Sequence, residues 1–191
     1  NPEFKEALEK AIVPAEKNDA ELIIASDPDA DRTGVAFREK NGEYRLLNGN
    51  EAGALLVYFI LATKKARNTI PDKPFIISTI VTSPLPEKIA ESFGVETINV
   101  LTGFKYIGEA IDKNPDKNFV FGMEESIGYL VGAHARDKDS ISAAMTFAEA
   151  ACYYKTLGLS LSDALEFLYG KYGYYRSALY AKYFEGEQGM I

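Results

Sequence analysis

The chain has 191 residues, 47% hydrophobic and 26% charged, with a formal net charge of -7. This is the composition of an ordinary globular protein of one large domain or two small ones. The acidic balance argues against a polyanion-binding surface, so no nucleic-acid partner is expected and any phosphate site must be local. The single cysteine, Cys152, leaves neither a disulfide framework nor a thiolate metal site, and its apolar neighbours Ala150, Ala151, Tyr153 and Tyr154 suggest a small core residue. No apolar run approaches the ~18 residues of a membrane span and the N-terminus has no signal-peptide core. A soluble, cytoplasmic protein with no membrane partner is expected.

From Glu3 to Lys17 the apolar residues Phe4, Leu8, Ala11, Ile12 and Ala15 recur at helical spacing. The apolar run Leu22–Ser26 reads as a strand, and an acidic loop follows it. Gly34–Phe37 and Tyr44–Leu47, joined by Lys40, Asn41, Gly42 and Glu43, read as a hairpin. Asn50 is placed to cap a helix from Glu51 to about Lys65, whose broad face Leu55, Leu56, Phe59 and Ile60 predicts burial. Residues 67–74, with charges and two prolines, stop the pattern and form a candidate linker.

Beyond it the spacing predicts a strand over Phe75–Val81, then Ser83 as N-cap with Pro84 at the first helical position, and a helix to Phe93 stopped by Gly94. Next come strand Val95–Leu101, helix Lys105–Asp112, turn Asn114–Lys117 and strand Asn118–Gly122. Strands alternating with helices at this spacing predict βαβ units on a largely parallel sheet with flanking helices, an α/β class. Helices Ile141–Leu157 and Ser162–Tyr172 follow, each ended by glycine, and the tail from Tyr174 to Phe184 alternates like a strand.

The acidic loop carries Asp27, Asp29 and Asp31, followed by Arg32. Three carboxylates this close repel by roughly 1 kcal/mol per pair in water and about 4 at an effective dielectric near 20. A plain polar turn needs no such cost. Alternate positions in a looped backbone can bring three carboxylate oxygens around one hard cation, and oxygen-only ligation selects magnesium or calcium over zinc. An EF-hand would require glycine at position 32 and glutamate at 38, where Arg32 and Arg38 stand. A phosphatase D-x-D motif is followed two residues later by threonine or valine, and here by Asp31. Arg32 beside a metal suits a phosphoryl group bridging the two.

In this setting the sequence resembles the α-D-phosphohexomutases, which include the phosphoglucomutases and phosphomannomutases. Asp27, Pro28, Asp29, Ala30, Asp31 and Arg32 resemble the family's metal loop D-G-D-G-D-R, with Pro28 and Ala30 in place of the glycines. Thr102, Gly103, Phe104 and Lys105 resemble its T-G-x-K loop. Glu124, Glu125 and Ser126 resemble its sugar-binding E-x-S loop, and Arg136, Asp137, Lys138 and Asp139 the following R-x-K-D segment. The four motifs fall in family order and cover nearly the whole chain. Met123 and Ile127 depart from the common pattern around the E-x-S loop, which leaves glucose, mannose and pentose open.

The resemblance implies the end of a second domain at 1–73, a third domain at 74–185 with the mixed sheet, and the start of a fourth at 186–191. It implies Mg2+ on Asp27, Asp29 and Asp31, and a catalytic pair of Arg32 and Lys138. Thr102, Gly103, Lys105, Glu124 and Ser126 would bind a phosphosugar. The reaction it implies interconverts hexose 1-phosphate and 6-phosphate through a phosphoserine and a hexose 1,6-bisphosphate. The family's Ser-His-Asn-Pro segment and R-x-S-G-T loop do not occur, so partner domains one and four are expected from elsewhere in the polypeptide and the isolated chain is expected inactive. Alternatives stay open: a phosphopentomutase-type member, a magnesium phosphatase with Asp27 as nucleophile, or a non-catalytic sugar-phosphate module. Arg136 could be an ion-pair partner, His134 a structural residue, Thr82 and Ser83 a capping turn, and Tyr172, Tyr174 and Tyr175 packing residues.

Overall fold

A computed structural model describes residues 1–178. Helix α1 (Lys5–Lys17) buries Leu8 and Ala15. Strands β1 (Leu22–Ser26), β2 (Thr33–Arg38) and β3 (Tyr44–Leu46) form an antiparallel sheet in that order. The pair Ser26↔Thr33 closes the β1–β2 ladder, so the acidic loop is the connection of a hairpin. The sequence patterning identified β2 and β3 as a hairpin; the pairing of β1 with β2 had no local turn signal beyond the aspartates themselves.

Helix α2 (Gly49–Ala66) is the apolar centre of the molecule, burying ten of its residues, among them Leu55, Leu56, Phe59 and Ile60. Its cap is Asn48 rather than Asn50. Asn48 Oδ1 accepts from the Glu51 amide at 3.0 Å and Glu51 Oε2 accepts from the Asn48 amide at 3.2 Å, a reciprocal capping box. Asn50 is used elsewhere: its Oδ1 accepts from the Ser83 amide at 2.8 Å. Asn48→Ala should therefore lower stability by about 1 kcal/mol through loss of the cap, read as a shift of the urea midpoint at unchanged slope.

The second sheet contains β4 (Pro74–Thr79), β5 (Glu96–Val100), β6 (Asn118–Glu124) and β7 (Gly128–Val131) in the order β5-β4-β6-β7. The first three neighbours run parallel and β7 is antiparallel to β6. It is therefore a mixed sheet. Strand β4 stops at Thr79, short of Val81, because the chain turns there: the Thr82 amide donates to Thr79 O at 3.0 Å and leaves Ile80 and Val81 exposed. Strand β7 was not anticipated. Its hairpin turn, residues 125–127, places Ile127 at φ 57°, a left-handed position usually given to glycine or asparagine, so the usual turn signature is missing.

Helices cover both faces, as parallel strands require. On one side α3 (Leu85–Ser92), α5 (Ser140–Thr156) and α6 (Leu161–Tyr172) join α2 over Ile76, Phe121, Met123 and Tyr129. On the other, α4 (Phe104–Lys113) packs Phe104, Ile107 and Ile111 on Phe75, Ile77 and Leu130. Alternate residues of β4 thus serve opposite cores. Ser83 Oγ accepts from the Leu85 amide at 3.3 Å at the start of α3. Cys152 is exposed on the outer side of α5, contrary to its apolar sequence context, because Ala150 and Tyr154 take the inward positions.

At the start of α6 the Ser160 hydroxyl, then the Lys40 ammonium and the Ser160 amide, hold the Asp163 carboxyl down at about 2, against an ordinary value of 3.8. The stability this adds is complete above the ordinary value and is lost as pH falls from 3.8 toward about 2. Asp163→Asn should flatten that part of the acid-unfolding profile and leave the neutral-pH dependence unchanged.

Residues 174–178 have no regular structure; the rest of the strand expected to Phe184, and the expected domain start at 186–191, lie outside the described residues. Among the described residues no helix is long and apolar enough to cross a membrane.

Candidate active site

The hairpin β1–β2 fixes the ends of the acidic loop, and the loop then folds on its own first aspartate. Asp27 Oδ1 accepts from the Asp31 amide at 3.1 Å and the Arg32 amide at 3.0 Å. Ala30, at φ 58°, turns the chain so that its amide donates to Asp27 O at 3.1 Å. Burial would raise the Asp27 carboxyl, but these amide bonds, with contact to Asp31, outweigh it and hold the group below its usual value. Asp27, Asp29 and Asp31 each present one oxygen, all within 4.8 Å of one another.

The loop is tied to the turn after β6. Arg32 bridges Gly128, and the Thr33 amide donates to Ile127 O at 2.9 Å. The Ser140 amide, at the start of α5, donates to Ala30 O at 3.0 Å. Lys138, just ahead of α5, places Nζ 2.9 Å from Asp31 Oδ2 with its side chain 18% exposed. Arg32 Nε lies 3.9 Å from Asp27 Oδ2 and 4.0 Å from Asp31 Oδ1, within ionic but beyond hydrogen-bonding reach. Asp31 Oδ1 is buried without a hydrogen-bond partner. Oxygen-only donors converging around an orphaned carboxylate oxygen fit a hard divalent cation.

Glu124 closes β6 and is 4% exposed. Its Oε1 accepts from the Gly103 amide at 2.8 Å, which joins the loop before α4 to the turn after β6. Burial pushes its carboxyl above the usual range, opposed by the Gly103 amide and the Lys138 charge. Gly128 makes this junction possible: a methyl there would lie 2.8 Å from Lys138 Cδ and 3.3 Å from Glu124 Oε2. The sequence reading gave Gly128 no role, and only the glycine itself, two residues after Ser126, could have signalled one.

Thus the chain brings Asp27, Asp29, Asp31, Arg32 and Lys138 together and sets Glu124 and Gly103 beside them. Thr102 is exposed, and neither it nor Ser126 makes a side-chain hydrogen bond among the described residues. Lys105 lies over the Tyr106 ring at 4.9 Å, outside the cluster. Arg136 is engaged structurally, donating from Nε to Asp112 Oδ1 at 2.7 Å and from Nη1 to the carbonyls of Ala133 and Ala135. His134 Nε2 is 2.8 Å from Asp139 Oδ2, and Asp139 caps α5 through the Ile141 and Ser142 amides.

An acidic hairpin loop that pairs with a lysine and is joined through its main chain to a glutamate-bearing turn of a mixed α/β sheet is the arrangement to be matched with known proteins. Comparison with known proteins gives the family. Residues 48–172 match the sequence model described as phosphoglucomutase/phosphomannomutase, alpha/beta/alpha domain III, and residues 1–42 match the corresponding domain II. The chain belongs to the phosphoglucomutase/phosphomannomutase family. It is 38% identical over 191 residues to a phosphoglucomutase of Staphylococcus haemolyticus, covering 100% of this chain and 34% of that protein. A phosphoglucomutase of Staphylococcus epidermidis is 39% identical over 191 residues, covering 99% of this chain and 34% of that protein. The chain therefore spans about a third of these relatives. A phosphoglucomutase/phosphomannomutase family protein of Burkholderia thailandensis has the same fold at TM-score 0.64 and 20% identity, over 87% of this chain and 33% of that one. So does N-acetylphosphoglucosamine mutase of Aspergillus fumigatus, solved with GlcNAc-6P and magnesium, at TM-score 0.55 and 17% identity, over 75% of this chain and 34% of that one.

Proposed function

We propose that the chain is the part of a hexose-phosphate mutase that supplies the magnesium loop and the sugar-binding turn. The observation that carries this reading is the direct union of the two: the Thr33 amide bonds Ile127 O and Arg32 bridges Gly128, with Lys138 paired to Asp31 beside them. Asp27, Asp29 and Asp31 would hold Mg2+, which when bound supplies charge neutralisation for a phosphoryl group. Arg32 would face the phosphoryl oxygens, and Lys138 would hold positive charge between the metal loop and the sugar. Glu124 and Ser126 would accept and donate to sugar hydroxyls, with Thr102, Gly103 and Lys105 lining the approach. A carboxylate and a hydroxyl can grip a sugar in either of two orientations, as exchange between the 1- and 6-positions demands. The phosphoserine donor and the hexose 1,6-bisphosphate intermediate belong to the complete cycle, and the 191 residues alone would turn over no sugar phosphate.

The curated relatives, named phosphoglucomutases, support this reading, and so does the magnesium complex of the Aspergillus protein. The family matches break between residues 42 and 48, ahead of α2, and α2 shares one core with α5 and α6. We propose the domain boundary there, rather than at the 73/74 division expected from the sequence. A cytoplasmic location accords with phosphorylated sugars as substrates.

The test compares this chain with a full-length polypeptide carrying it, on glucose, mannose, glucosamine and pentose phosphates. Mutase activity is expected in the full-length protein and none in the chain. Phosphate release by the chain alone would instead identify a phosphatase with Asp27 as nucleophile.

A further inference from the structure

Glu125 sits between the two residues proposed to grip the sugar, and it is held from behind. Its Oε2 accepts from the Thr79 hydroxyl at 2.9 Å, at the C-terminal end of β4, where Thr79 is 1% exposed. A hydroxyl has one proton to give. With that of Thr79 committed to Glu125, the 2.9 Å contact between the Thr79 and Thr82 hydroxyls has Thr82 as donor. Thr82 Oγ1 also accepts from the Thr79 amide at 3.2 Å, so the two threonines lock each other's rotamers.

The same turn is held through its main chain. The next residue, Ser83, donates its amide to Asn50 Oδ1 on α2 at 2.8 Å. Gly49, beside Asn50, lets the Glu125 carbonyl approach so closely that a methyl there would lie 1.9 Å from the Glu125 oxygen. Tyr129 donates its hydroxyl to Gly49 O at 3.1 Å, fixing the far side of the hairpin to the same helix end. The left-handed Ile127 needs such surroundings, because a β-branched residue does not hold that conformation unaided.

We propose that Thr79 and Glu125 are positioning residues for the sugar grip: the chain from Thr82 through Thr79 to Glu125 sets where Glu124 and Ser126 present their oxygens. The inference rests on the mutase reading for its consequence in turnover, but not for its consequence in the turn itself. A charge-assisted bond from a buried hydroxyl to a carboxylate is stronger than a neutral one, and its loss leaves the carboxylate unpaired.

Two measurements test it. In the 191-residue chain, Thr79→Val should speed hydrogen exchange at the Gly103 and Thr33 amides by about tenfold or more, since these bond Glu124 and Ile127. Exchange in β1 and α2 should stay as in the wild type, and Thr79→Ser should restore the slow rates. In a full-length polypeptide carrying the segment, Thr79→Val and Glu125→Gln should each lower kcat/KM by about tenfold or more, chiefly through KM, with the magnesium half-saturation unchanged. Unchanged exchange in Thr79→Val, wild-type kcat/KM in both variants of an active enzyme, or a serine variant as defective as valine would overturn the inference. Faster exchange in Thr79→Val, with a wild-type full-length polypeptide that shows no mutase activity, would sustain the positioning role and sink the mutase reading.

Discussion

Magnesium is expected to raise the melting temperature of this chain, and Asp29→Asn to abolish the rise. At 100 times the dissociation constant, a ligand bound to the folded state adds about 2.7 kcal/mol, which for a chain of this size moves the midpoint by roughly 5 to 10 °C. Asp29 is the clean position for the test. Asp27 accepts two amides and Asp31 pairs with Lys138, so changing either disturbs the loop itself. Asp29 is exposed and makes no side-chain hydrogen bond among the described residues, so its variant should melt within about 1 °C of wild type without metal. A flat response from micromolar to tens of millimolar magnesium in the wild-type chain would count against a preformed site.

Gly49→Ala should lower stability by about 3 kcal/mol, or roughly 10 °C in melting temperature. The added methyl would lie 1.9 Å from the Glu125 oxygen and 2.6 Å from its carbonyl carbon, both main-chain atoms with no rotamer to yield. Gly53→Ala, one turn along α2, is the comparison. There the methyl meets the end of Met123, at 2.1 Å from Cε, which can swing aside, and alanine adds helix propensity. If the two variants melt alike, the tight seat of the turn at residues 125–127 on α2 is wrong.

The parts legible in the sequence were those with local causes. The glycine after α3 ends its helix at φ 71° and the one after α5 at φ 73°, the left-handed positions that the residue type announces. The aspartates announced themselves by their mutual repulsion, and the loop they form was identifiable before its hairpin was. Illegible parts depended on distant partners. Asn48 and Asn50 are equally good caps in sequence; the Ser83 amide decides that Asn50 serves the neighbouring turn. Strand β7 was hidden because an isoleucine occupies its turn. No periodicity could pair Asp31 with Lys138, or Glu125 with Thr79, since sheet topology alone brings them together.

The bond from the Thr33 amide to Ile127 O, with the Arg32–Gly128 bridge and the Ser140 amide on Ala30, also has a mechanical meaning. It rivets the hairpin to the larger α/β unit at the very loop where chemistry is proposed. A hinge between the two segments that match separate family domains would have to shear these bonds. The two segments are therefore expected to move as one body, so that an opening that admits the proposed ligand would pivot elsewhere.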